Sequence, residues 1–190
     1  MNEIIINRIL LFVMAICLIN AVIFFFMPIS SYTLSFPLSL KEPWRIFTFQ
    51  FFHIDIFHLL ENVVGFIFVA LIATELEISF KEFSFTYFLA IFAVILPIIL
   101  FYPSATVAGN STGIYGLLAL CLIKSRKLVS IKITIPIIIA LIFSLSILNF
   151  ILCGMCFLYF FKGEFLHFSG FLAGITLSFM LKEKPKLFKI

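Results

Sequence analysis

Charged side chains are scarce in this chain. Only 12% of its 190 residues are Asp, Glu, Lys or Arg, while 64% are hydrophobic. That balance excludes an ordinary soluble domain, whose apolar share is far lower. It predicts an all-α polytopic membrane protein. The net charge of +4 is not a nucleic-acid surface, because the basic residues lie in short joints between apolar runs. Glycine-rich cofactor loops of the GxGxxG or Walker type are absent, as is the HExxH pattern of zinc hydrolases. Aspartate occurs once, at Asp55. A mechanism built on two facing aspartates is therefore excluded. Four cysteines are present, two of them in Cys153-Gly154-Met155-Cys156. They stand in an apolar run without further zinc ligands at matching spacing, so inert buried thiols are expected. No internal repeat or low-complexity segment is seen, and there is no room for a soluble domain.

What fills the chain instead is a series of apolar runs. Ile9 to Met27 carries no charge and, at about 1.5 Å per residue, crosses most of a ~30 Å core. It is too long for a signal peptide and lacks a small-x-small cleavage site, so an uncleaved span is expected. Pro28 to Thr48 holds three prolines and predicts a connection without a long helix. Near its end, Trp44 and Arg45 suit the headgroup level. Further spans are expected at Ile56 to Thr74, Phe85 to Tyr102 (with Pro97 inside), Ser111 to Ile123, Ile133 to Phe161 and Phe165 to Leu181. The fifth exceeds what a span needs, and its part from about Ile151 is expected to leave the helix as an apolar loop. Residues 1–190 thus read as a single six-helix membrane domain with both ends on one side. The side of the termini holds Arg8, Lys81, Lys124, Arg126, Lys127, Lys132, Lys182, Lys184, Lys186 and Lys189; the other holds Lys41, Arg45 and Lys162. Under the positive-inside rule the termini are cytoplasmic.

Polar residues inside such spans are costly and are functional candidates by default. They fall in three islands. The first is Gly109-Asn110-Ser111-Thr112-Gly113-Ile114-Tyr115-Gly116, opening a segment too short to cross the whole core, so Ser111 lies below the outer surface. The second runs from His53 to Asn62. His58 and Asn62, four residues apart, share one helix face. The third begins at His167, followed on the same face by Gly170 and Gly174. Glycine faces let membrane helices approach closely, which would bring His167 to the Ser111 hydroxyl as nucleophile and base. Tyr115, one turn after Ser111, is placed to stack on the His167 ring. Ser111 N–H, His58 and Asn62 would donate to an oxyanion. With Asp55 in the loop-proximal part of the second island, a Ser-His dyad is the fitting description. Glu61 either accepts from His58 or is a carboxylate wetted by the mouth of the site. A metal held by the three histidines is disfavoured because His53 and His58, five apart, diverge on a helix. No cofactor is expected.

Over essentially its whole length the chain resembles the rhomboid intramembrane serine proteases. The resemblance is carried by Trp44-Arg45, by His53, His58 and Asn62, by Gly109-x-Ser111 and Tyr115, by His167-x-x-Gly170-x-x-x-Gly174, and by Glu75 at the usual acidic position. It implies a six-helix rhomboid core, a first loop partly in the membrane, and hydrolysis of peptide bonds in or near transmembrane segments of membrane-protein substrates. Ser111 and His167 would be the dyad and the His58-Asn62 face would bind the oxyanion. The expected setting is the lipid bilayer of a bacterial inner (plasma) membrane; the oligomeric state is left open. One departure stands out: Thr112 occupies the glycine of the family's Gly-x-Ser-Gly. It keeps open the alternative of an inactive rhomboid-like protein that binds transmembrane clients.

Overall fold

A computed structural model of the chain describes residues 2–126, Pro136 and 157–181. The described residues are helical, apart from connections and one isolated bridge. Helix α1 is Asn2–Phe26. Two short helices follow, α2 at Phe36–Ser39 and α3 at Arg45–Thr48, flanked by single 3-10 turns at Ile29–Ser31 and Phe49–Phe51. Helix α4 is Ile56–Glu75, α5 is Phe80–Phe92, α6 is Ile95–Phe101, α7 is Ser111–Ser125 and α8 is Phe157–Met180. Among the described residues, three stretches are long and apolar enough to cross a membrane: Arg8–Phe26, Ile56–Glu75 and Phe80–Phe101.

Local chemistry explains the boundaries. Asp55 is extended and its Oδ1 accepts from His58 N–H at 2.8 Å, capping α4. The third apolar stretch starts at Phe80, five residues earlier than expected, because Ser79 caps it. Ser79 Oγ accepts from Glu82 N–H at 3.2 Å and donates to the Glu82 carboxylate at 3.1 Å. Glu82 also pairs with Lys124 near the end of α7, so one end of α5 is tied to that of α7. The stretch breaks between Phe92 and Ile95, where Pro97 removes a helical N–H donor and crowds the carbonyl four residues back.

Two further expectations are corrected. Arg45 is not a snorkelling cation: it is 5% exposed, paired with Glu42, and its Nη1 donates to Thr33 O at 3.1 Å. A charge this buried needs partners, and here it braces the first loop. Trp44 remains half exposed. Phe157 to Phe161 are not part of a loop or of the fifth span; they form the first turns of α8. The remainder of the expected fifth span, residues 133–156 apart from Pro136, lies outside the described residues. So do the Cys153–Cys156 pair and the basic tail from Lys182.

The architecture centres on α7, which packs on α8, α5 and α4, while α1 lies against α4. Ten residues of α7 are buried, among them Leu117, Ala119 and Leu120 with no exposed surface. At about 1.5 Å per residue its 15 residues span roughly 22 Å. The core beside it is aromatic: Phe66 stacks on Tyr87 with ring centroids 4.7 Å apart, and Phe12 meets both edge-on.

Candidate active site

Ser111 is the first residue of α7 and is half-buried. The turn before it is held from two directions. Leu34 and Val107 form an antiparallel bridge, with N–H···O distances of 2.8 Å each way, and Gly109 N–H donates to Phe49 O at 3.0 Å. Gly109 has φ +103°, a conformation that disfavours any side chain. Space gives a second reason: a Cβ there would stand 2.8 Å from His58 Cε1 and 3.0 Å from Nε2. The His58 ring therefore lies directly against the residue two before the serine. Asn62 Nδ2 would be 3.7 Å from the same point. Its amide donates back to His58 O at 2.8 Å, which leaves one amide hydrogen for the space beside the turn.

From the other side comes α8. Gly170 and Gly174 lie against the α7 backbone: a methyl group on Gly170 would overlap the Thr112 carbonyl, and one on Gly174 the Gly116 carbonyl. With no side chain between the helices, His167 reaches across. Its Nε2 is 3.0 Å from Ser111 Oγ, and its ring is stacked on Tyr115 at 4.4 Å between centroids and 8° between planes. A hydroxyl and an imidazole from separate helices thus share a hydrogen bond of ordinary length, with the ring's tilt set by an aromatic neighbour.

The other candidates fall nearby with differing relations. His53 precedes α4 rather than lying in it, so it does not diverge from His58 along a helix. The two rings meet at 5.2 Å and 63°. That removes the spacing argument used above against a metal; among the described residues no three His, Cys, Asp or Glu side chains form a metal-holding group. His53 is 3% exposed and neither ring nitrogen makes a hydrogen bond of good geometry. Burial pushes its imidazole down to about 4, so it is neutral at ordinary pH. Asn110 donates from Nδ2 to Tyr87 OH at 2.9 Å, anchoring the serine turn to α5. Glu61 is half-buried on α4, and Glu75 is the exposed last residue of that helix.

The sequence reading missed Glu164. It precedes His167 by three residues on α8, and its Oε1 stands 3.5 Å from His167 Nδ1. The i, i+3 spacing was visible in the sequence.

A family model for the Rhomboid domain matches residues 40–184. The chain belongs to the rhomboid family. The match takes in the end of the first loop with Arg45, the serine turn and the histidine helix. Among curated proteins, RHOMBOID-like protein 1 of Arabidopsis thaliana is 28% identical over 153 residues, covering 76% of this chain and 36% of that relative. The chain therefore spans little more than a third of the relative's length. As a rhomboid with apolar helices of membrane-crossing length, the protein is integral to a membrane.

The threonine that departs from the rhomboid pattern has a structural place. Thr112 is buried, and its Oγ1 donates to Ile91 O at 3.4 Å. Ile91 lies in the last turn of α5, where carbonyls lack an intrahelical donor. Its hydroxyl thus reaches the end of α5, next to the break before α6. Thr112→Gly is expected to keep or raise activity while lowering stability by about 1 kcal/mol, from the lost bond and the added helix entropy. Substrate turnover and detergent melting curves of the purified variant check this. A large loss of turnover would assign the threonine a role at the site.

Proposed function

We propose that the protein is an intramembrane serine endopeptidase that hydrolyses peptide bonds in or near transmembrane segments of membrane-protein substrates through a Ser111–His167 dyad. The observation that carries this is the 3.0 Å contact between His167 Nε2 and Ser111 Oγ under the stacked Tyr115 ring. The Ser111 hydroxyl gives its proton to Nε2 as Oγ attacks the substrate carbonyl carbon. The resulting oxyanion meets Ser111 N–H, a first-turn donor without an intrahelical acceptor, and the His58 ring and Asn62 amide that border Gly109. His167 then returns the proton to the leaving amine, and water hydrolyses the acyl ester by the same route reversed. The substrate helix must unwind locally, because a hydrogen-bonded helix hides its carbonyls, so small or helix-breaking residues near the cut are favoured.

The full domain in this proposal is a single six-span unit over residues 1–190, with cytoplasmic termini, as the ten basic residues on their side favour. A plasma membrane such as a bacterial inner membrane is the proposed host. No cofactor enters the scheme.

A second reading, a client-binding rhomboid that does not cut, is favoured by Thr112 in the place of the glycine and by the Asn62 amide bonding its own helix. Labelling with a serine-reactive fluorophosphonate in detergent separates the two. Modification at Ser111, lost in His167→Ala, is expected. An intact protein that takes no label at Ser111 would leave the binder as the reading.

A further inference from the structure

In the proton-transfer scheme above, His167 Nε2 accepts from Ser111, so the ring proton must sit on Nδ1. That nitrogen is fully buried and makes no hydrogen bond of good geometry. A buried N–H without an acceptor favours the wrong tautomer, with the proton on Nε2 and the ring unable to act as base. Glu164 Oε1 stands 3.5 Å from Nδ1, just beyond hydrogen-bond reach. Both side chains are largely enclosed, at 23% and 21% exposure, so this is not a solvated pair on a helix surface.

We propose that Glu164 is a positioning residue for His167: it holds the Nδ1-protonated tautomer and balances the imidazolium formed when Ser111 loses its proton. This rests on the proteolytic reading above. Contacts of this kind are commonly long in the resting enzyme and shorten as charge develops. The positioning acid is supplied from the histidine's own helix, one turn away, while the single aspartate serves elsewhere as the α4 cap. Among the described residues, few polar groups stand around the ring. Ser111 and Tyr115 face it from α7, and His58 on α4 lies within electrostatic reach. On α8, Lys162 lies two residues before Glu164 with its ammonium over the Tyr102 ring at 5.5 Å. Of these, Glu164 alone is an anion.

The test is made on the full chain in detergent, with 15N-labelled histidine and with fluorophosphonate labelling of Ser111. The His167 signals are assigned by their loss in His167→Ala. The parent is expected to show a protonated Nδ1 and a bare Nε2. Glu164→Leu, with a parent-like melting curve, is expected to show mixed tautomers and roughly tenfold slower labelling. Glu164→Gln retains an acceptor oxygen and is expected to keep the parent tautomer and lose less than about threefold. A parent-like tautomer or a parent-like labelling rate in Glu164→Leu overturns the proposal. Should the leucine variant melt early, Glu164→Ala decides in the same assays. If the parent itself takes no label, the proteolytic reading fails, and the tautomer measurement alone then decides the place of Glu164.

Discussion

Ser111→Ala and His167→Ala are each expected to abolish cleavage of a reporter transmembrane substrate, by at least roughly a thousandfold, with little change in folded yield. The two losses should not add, because the groups act as one unit: a hydroxyl 3.0 Å from a base is a nucleophile only while both are present. Ser111 is half-buried at a helix start and His167 is partly exposed, so neither truncation opens a large cavity. Turnover and melting temperature, measured side by side, separate chemistry from folding. If Ser111→Ala cuts as well as the parent, the dyad is wrong.

Gly170→Ala is expected to be damaging to a lesser degree, by a different route. Its added methyl would overlap the Thr112 carbonyl oxygen and stand 2.8 Å from the Thr112 carbonyl carbon and 2.9 Å from its Cα. All three are backbone atoms of a helix and cannot swing aside. Ordinary carbon contacts are about 3.5–4.0 Å, so α8 must move off α7 by roughly 1 Å. His167 lies one turn away on the same rigid element and moves with it, taking Nε2 out of reach of Ser111 Oγ. A displacement of that size costs about a hundredfold in rate, and the overpacking about 1–3 kcal/mol in stability. Proteolysis rate and thermal melting should both fall. A variant with parent activity would mean that the close approach of the two helices does not set the dyad distance.

The sequence made the site legible because each polar island sits at helical spacing and the glycine face on α8 can pair only with a backbone. Ser111 does open α7, and Ile56 does open α4. What escaped the sequence depends on contacts or on unread caps. Arg45 beside Trp44 looks interfacial in a linear reading; only the fold brings it to Thr33 O and buries it. His53 was placed on a helix with His58, whereas the Asp55 cap starts that helix after His53 and turns the two rings toward each other. The Ser79 cap was present in the letters and would have moved the start of the third stretch. Glu164 was passed over because a third member was sought as a distant aspartate rather than one turn from the histidine.

The surroundings of α1 and α7 differ in kind. Only 22% of the residues in the apolar part of α1 are buried, whereas α7 is enclosed from Thr112 to Leu122 almost without interruption. Acyl chains therefore solvate α1 but hardly touch the segment that carries Ser111. Lengthening or shortening those chains would retilt the periphery first, while the depth of the serine is fixed by neighbouring helices and stays put as the bilayer swells or thins.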